Sequence, residues 1–340
     1  MRIDTTLPSR IREGLSAAQA ADGSCDGIGW VSETTSDATV VAAALLAATS
    51  ELRVGTGVAV AFARSPFVLA QAAWELARAS EGRFVLGLGT QVKAHLERRF
   101  DVPAERPLSR MRDYVGALRA IWDSFQTGAP LRHEGPYYRH TLLTDHFNPG
   151  PIAHPDIPVF LAGVNPGMAS LVGEVAQGLF AHPLHSRRYL ADVVSPALEA
   201  GLAQAGRPRR DVEVLVPVWV VTGRDDAETA TSREAIRAQI ALYGATRTYR
   251  RVFEVHGWDD VPSRLHALLA DGDRGGMLRV VTDEMIETFA VCAEPDAVPR
   301  AVTERLSGVA DRVLLYDPVP DVLSAGPARF RLGGTDVCAG

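Results

Sequence analysis

Between Leu52 and Thr90 two short apolar runs, each ending in glycines, flank a helix-like segment. The first run is Leu52-Arg53-Val54-Gly55-Thr56-Gly57-Val58-Ala59-Val60, the segment opens at Ser65-Pro66, and the second run is Arg83-Phe84-Val85-Leu86-Gly87-Leu88-Gly89-Thr90. Strand, helix, strand, with each strand ending in small residues, is the grammar of a parallel α/β unit. Glycine at a strand end removes the side chain where something flat or anionic approaches the backbone. Parallel α/β folds bind ligands at the carboxyl ends of their strands. The unit therefore predicts an enzyme with a cofactor lying over these strand ends.

The same grammar recurs along the chain. Strands are predicted at Arg2–Leu7, Gly27–Ser32, Leu52–Val58, Arg83–Gly87, Val159–Gly163, Gly178–His182, Val212–Val221 and Arg312–Tyr316. Segments with helical spacing lie between most of them: Ile11–Ala21, Thr39–Ala48, Phe67–Ala79, Leu108–Phe125, Met168–Ala176, Arg188–Ala205 and Asp226–Leu242. Alternation over eight strands predicts an α/β fold of the (β/α)₈ TIM-barrel type with insertions, an open doubly wound sheet being the alternative. The 340 residues suit one barrel domain over residues 1–322, with the aperiodic stretch 323–340 expected to be a poorly ordered tail. Two insertions interrupt the repeat, Thr127–Asp156 and Gly244–Phe289. The first contains a hairpin-like Leu131–Arg139, the second His256-Gly257-Trp258, and both are expected to serve as lids.

Charge and composition exclude several classes. A net charge of −6 with no basic cluster argues against nucleic acid. No apolar run reaches membrane-spanning length, and Thr39–Ala48 reads as a core helix. Met1-Arg2-Ile3-Asp4 leads straight into a strand without a signal-peptide pattern. Cys25, Cys292 and Cys338 are too far apart for a disulfide framework or zinc site, which suits a reducing cytoplasm. Neither His-Glu-x-x-His nor Cys-x-x-Cys occurs, so no metal is expected.

Five ordered motifs carry a resemblance. They are Gly27-Ile28-Gly29-Trp30-Val31-Ser32-Glu33, Val54-Gly55-Thr56-Gly57-Val58, Arg64-Ser65-Pro66, Gly82–Thr90, and Leu161-Ala162-Gly163 followed by Gly173–Gly178. In this order they resemble the bacterial luciferase-like superfamily, and within it the oxidoreductases that use the deazaflavin coenzyme F420. The resemblance covers Met1 to Pro318. It implies hydride transfer between F420 and a small organic substrate, by a homodimer. An FMN-dependent luciferase-like flavin monooxygenase and a non-catalytic cofactor-binding barrel stay open as alternatives.

Carried over residue by residue, the resemblance implies a cofactor site at three strand ends. Gly55, Thr56, Gly57 and Val58 match a bulge, often with a non-proline cis peptide, that backs the cofactor ring; the bond that fits is Gly57–Val58. Gly89, Thr90 and Gln91 match the ring's polar edge; the bland alternatives are a tight turn here and, at Gly55 and Gly57, a glycine pair that allows close helix packing. Gly163, Val164 and Asn165, before Pro166, match the turn that takes the cofactor phosphate at a helix start; a plain Asn165 helix cap satisfies the same residues. Gly55, Gly57, Gly89 and Gly163 are expected to line one cleft.

The proton partner departs from the pattern. Where the family commonly has Asp-His, this chain has Glu33-Thr34. Glu33 takes the catalytic role if burial raises its pKa, and is otherwise a helix cap or an ion-pair partner. His182, at the end of the sixth strand, is the second catalytic candidate, with a structural histidine as the alternative. Arg64 and Arg187 stand near strand-end loops, where F420 would bring a phosphate and a polyglutamate tail. Trp30, Phe62, Tyr137, Tyr138, Phe147 and Trp258 suit either a pocket wall or the core.

Overall fold

The structure is a computed structural model that describes residues 1–23 and 27–316. The expected tail at 323–340, Cys25 and Cys338 lie outside the described residues.

Eight strands form the frame: β1 (Arg2–Leu7), β2 (Ile28–Val31), β3 (Arg53–Thr56), β4 (Phe84–Gly89), β5 (Val159–Gly163), β6 (Gly178–Ala181), β7 (Glu213–Val221) and β8 (Arg312–Leu315). Each pairs in parallel with its neighbour, β7 joins β6 through Leu215↔Phe180, and β8 joins β1 through Val313↔Ile3. The sheet closes on itself. That closure excludes the open doubly wound alternative and leaves the TIM-type barrel. The sequence placed every one of these strands within two residues of its ends.

The principal helices are α1 (Ile11–Ala21), α2 (Ala38–Ala47), α3 (Pro66–Ala79), α4 (Pro107–Thr127), α5 (Pro166–Val175), α6 (Ser195–Gln204), α7 (Asp226–Gly244) and α8 (Val298–Leu306). Local chemistry sets their starts. Asp37 Oδ1 accepts the Thr39 N–H at 2.8 Å, and Ser65 Oγ accepts the Phe67 N–H with Pro66 in the first turn. The predicted continuous helix Arg188–Ala205 is instead broken by a π turn at Leu190–Val194. Pro196 follows, and lacking an N–H it cannot donate back to the preceding turn. Helix α8 and the short strands Ala59–Val60 and Ala290–Cys292 were not anticipated.

Two cores result. The outer one lies between barrel and helices. The inner one fills the barrel with Ile28, Trp30, Val85, Phe160, Phe180, Leu215 and Leu314, topped by Val58, Ala162 and Tyr316. Near the amino-terminal end of the barrel a buried ion pair underlies it. Asp4 accepts from Arg312 Nη2 at 2.6 Å, from the Ile28 N–H at 2.9 Å and from Trp30 Nε1 at 2.7 Å. Both charged side chains are fully buried, so the surrounding donors and acceptors must replace water.

The insertions behave differently from one another. The first forms the expected hairpin, His133–Glu134 against Arg139–His140. It packs on α4, where Asp113 accepts from the Tyr137 and Tyr138 N–H groups and bonds His133 Nε2. The second is helical and reaches the barrel mouth. There Asn165 Nδ2 donates to the Thr248 carbonyl at 3.2 Å, and the Tyr249 ring lies 4.4 Å from that of His182.

Candidate active site

The third strand is distorted where the sequence placed the cofactor. Gly55 pairs with Val85, but four residues later Ala59 pairs with Leu88, so the register slips by one residue. Such a slip is a β-bulge: one residue too many on one strand, with the chain bent and re-aimed. Thr56 stitches the gap, its Oγ1 donating to the Gly87 carbonyl at 2.7 Å and accepting the Gly87 N–H at 2.9 Å. The bulge itself is Gly57-Val58, and the bond between them is cis, as the resemblance implied. Both backbone groups of Gly57 are held: its N–H donates to the Val31 carbonyl at 2.7 Å, and its carbonyl accepts from Ser32 Oγ at 3.1 Å.

The four glycines share the carboxyl end of the barrel but do not share a cleft face. Gly55 is buried, and the space beside it is filled by the Trp30 ring. A Cβ on Gly89 would stand 2.6 Å from Val58 Cγ2, so Gly89 makes room for the bulge. A Cβ on Gly163 would meet Met168 and Leu179, on the helix side of the strand. Gly57, Val58, Thr90, Gln91, Gly163, Val164 and Asn165 retain partial exposure and form the accessible rim. Gln91 has φ 61°, a left-handed conformation that a non-glycine residue adopts only under constraint, and its Oε1 accepts the Val92 N–H.

Asn165 stands before α5 without capping it, its amide being engaged by Thr248. Pro166 has no N–H, and the Gly167 N–H has no hydrogen-bond partner among the described residues. The start of α5 thus offers an exposed amide at the positive end of a helix dipole.

Glu33 is half of an ion pair. Its carboxylate accepts from Arg64 Nη1 and Nη2 at 3.0 Å each, and Arg64 Nη2 also reaches Asp37 at 2.6 Å. Burial opposes the charge on Arg64, but the hydrogen bonds it donates to Glu33 and Asp37 hold it firmly protonated. Burial likewise pushes Asp37 up, yet Thr39 and Arg64 overcome it and hold the carboxyl at about 2. Of the roles open to Glu33, the geometry shows the ion pair. Arg64 is correspondingly unavailable to a cofactor anion. Arg187 is turned toward the end of α8, where its Nη1 donates to the Arg305 and Ser307 carbonyls.

His182 follows β6 directly. Its Nδ1 accepts the Leu184 N–H at 3.0 Å, and its ring is flanked by Tyr249 at 4.4 Å and Tyr243 at 4.6 Å. Burial, with the neighbouring His185, pulls its pKa down to about 3. His185 is 4% exposed and brought to about 4 by burial; its Nε2 donates to the Pro217 carbonyl at 2.8 Å. A cavity of about 10 Å³ lies between the two histidines and the Gly163–Val164 turn.

Most of the aromatics flagged in the sequence are core. Trp30 fills the barrel, Trp258 packs with Phe253 and Phe289 inside the second insertion, and Arg110 lies over Phe62 and beside Tyr138. Phe147 is exposed. The aromatics near His182 are Tyr243 and Tyr249, which sequence reasoning passed over. Their position after the seventh strand was the available signal, since the segment that follows a barrel strand starts at its carboxyl end. Among the described residues no three His, Cys, Asp or Glu side chains gather as a metal site, and no helix is long and apolar enough to cross a membrane.

The family signature described as luciferase-like monooxygenase matches residues 4–312. The chain belongs to that family. It is 43% identical over 314 residues to an uncharacterized protein of Mycobacterium tuberculosis (strain ATCC 25618 / H37Rv), covering 92% of each chain. It is 28% identical over 279 residues to a 5,10-methylenetetrahydromethanopterin reductase of Archaeoglobus fulgidus, covering 80% of this chain and 79% of the other. The structure of the coenzyme F420 dependent tetrahydromethanopterin reductase from Methanopyrus kandleri superposes with a TM-score of 0.74 at 21% identity, over 92% of both chains. These likenesses make the protein an oxidoreductase-type luciferase-like barrel, and its family includes users of F420 and of FMN.

Proposed function

We propose that this protein is a cytoplasmic oxidoreductase that binds coenzyme F420 over the ends of β3, β4 and β5 and exchanges a hydride between it and a small organic substrate. The observation that carries this reading is the one-residue bulge at Gly57-Val58. It is pinned by Ser32, Thr56 and Val31, and Gly57 and Val58 keep partial exposure at the strand end. A bulge with a glycine leaves room at the strand end for a flat ring to approach the chain. The residues also fit the rest of the group. Thr90 and Gln91 supply polar atoms beside the bulge, and the Gly167 N–H at the start of α5 fits a phosphate. When bound, the deazaflavin supplies the hydride chemistry; the chain's own part is to orient it, exclude water and bind the substrate.

The preference for F420 over FMN is supported by the named relatives, two of which are methanopterin reductases, one of them named as F420-dependent. Titration of the protein with each cofactor, read by fluorescence quenching, tests it. Micromolar or tighter binding is expected for F420, and binding weaker by about tenfold or more, roughly 1.4 kcal/mol, for FMN. FMN binding tenfold tighter than F420 overturns the assignment. A bound cofactor with no turnover on any substrate would point to the non-catalytic barrel. A homodimer goes with this reading: Val40 on α2 and Val68 on α3 are 57% and 58% exposed, and light scattering would show a mass of twice the chain.

A further inference from the structure

The imidazole of His182 is locked in one tautomer. Its Nδ1 accepts the Leu184 N–H, and a nitrogen that accepts carries no proton, so the neutral ring holds its hydrogen on Nε2. Leu184 is fully buried, and its N–H has no other acceptor among the described residues. Protonating Nδ1 would set two donors face to face and leave that amide unsatisfied. Pro183 stiffens the two-residue loop that closes the bond. Tyr249, from the second insertion, and Tyr243, from α7, hold the ring on two sides.

The surroundings offer nothing that would favour a charged imidazole. The titratable groups packed around it are His185 from the β6 turn, Tyr243 from α7 and Tyr249 from the insertion, with Tyr316 beyond β8 near both phenols. Burial raises both of those tyrosines, Tyr243 to about 12, so they stay neutral, and among the described residues no carboxylate or arginine acts on His182. The Nε2 atom has no hydrogen-bond partner among the described residues, yet it is not sealed away, and the residue keeps partial exposure at the barrel mouth.

We infer that His182 is a permanently neutral hydrogen-bond donor that binds an uncharged oxygen of the substrate, a carbonyl or alcohol, and neither gives nor takes a proton. This rests on the proposed site at the strand ends. A neutral N–H among phenols has little to offer a carboxylate or phosphate, which would call for a cation, but it polarises a carbonyl without being consumed. The proton that the substrate oxygen gains or loses is then exchanged with water.

The test is a long-range proton–nitrogen correlation spectrum of protein labelled with ¹⁵N-histidine, recorded between pH 8 and 5. The signal lost in His182→Gln identifies the ring. Should that variant not fold, the through-hydrogen-bond coupling between Nδ1 and the Leu184 amide identifies it instead. The Nε2–H pattern is expected to persist unchanged over the whole range. An Nδ1–H tautomer, or an imidazolium pattern above pH 5, overturns the inference. Cyclohexanone, an uncharged carbonyl probe, and benzoate, an anionic one, are then added with and without F420. The Nε2–H resonance should move with cyclohexanone and not with benzoate; a shift with benzoate alone, or with neither, overturns the donor role. Failure of the oxidoreductase reading appears separately, as absence of F420 quenching, because the tautomer is read on the protein alone.

Discussion

The indole of Trp30 occupies the space beside Gly55: a Cβ built on that glycine would come within 2.5 Å of ring carbon Cζ3. In the sequence Gly55 signals a flat group close to the backbone. The flat group is the protein's own tryptophan, one strand away, paired in register with the glycine it excludes. The ring also packs on Phe160 and Phe180, so it forms the floor beneath the bulge. Gly55 is therefore required by the barrel's packing, and Gly57, two residues on, stands at the accessible rim.

This relationship predicts a specific compensation. Gly55→Ala should destabilise the fold by about 1–3 kcal/mol through overpacking, seen as a lower urea midpoint. Combined with Trp30→Phe, which shortens the ring, it should cost less than the two single changes together. Strict additivity would mean that Trp30 does not set the space at Gly55.

Beneath the ring, Asp4 joins Arg312 to the Trp30 indole. Asp4→Asn and Arg312→Met should each be strongly destabilising, by about 3–5 kcal/mol, since each removes the main partner of a buried charge, leaving Arg312 only the longer contact to Glu213 at 3.4 Å in the first case. Removing both should be milder than the sum. Urea denaturation of the three variants decides, and a loss under about 1 kcal/mol for either single change contradicts the assigned role.

Acid should weaken the fold earlier than carboxylates alone would explain. His182 and His185 have folded pKa values of about 3 and 4 against an ordinary 6.5, so between those limits the unfolded chain binds more protons than the folded one. Their contribution is complete above pH 6.5 and is lost as pH falls below it, at up to about 1.4 kcal/mol per pH unit for each histidine. Asp37, held at about 2, adds loss only below its ordinary 3.8. The stability measured from pH 7 to 5 should slope downward toward acid, and His185→Gln should reduce the slope. A flat profile over that range would contradict the depressed values.

How much of this was legible follows from the range of the interactions. Strand alternation is local, and all eight barrel strands and the hairpin could be read from it. Glu33 illustrates what could not. Its neighbours Ser32 and Thr34 say nothing of Arg64, which lies 31 positions on and is brought over by the turn after the bulge. The glycines were legible as close approaches but not as to whose ring approached. Tyr243, at the end of α7, and Tyr249, in the second insertion, were hidden because an aromatic residue there looks the same whether it faces a core or a barrel mouth.

The start of α5 allows the cofactor proposal to be tested at one atom. Asn165 is turned toward Thr248, so the exposed Gly167 N–H is the donor left for a phosphate. Gly167→Pro deletes that N–H in the first turn, where a helix tolerates proline. F420 affinity should fall about tenfold or more, consistent with roughly 1.5–3 kcal/mol for a hydrogen bond to a charged group. Gly167→Ala keeps the N–H. Its Cβ would come 2.8 Å from Leu108 Cδ1, the far end of a flexible side chain that can turn away, so affinity should stay near that of the parent. Asn165→Ala should also bind normally, because the lost amide bonds the insertion rather than the cofactor. Circular dichroism checks that each variant keeps its helix content. Equal weakening by Asn165→Ala and Gly167→Pro would move the anion site from the backbone to the side chain, and unchanged binding by Gly167→Pro would remove it from α5 altogether.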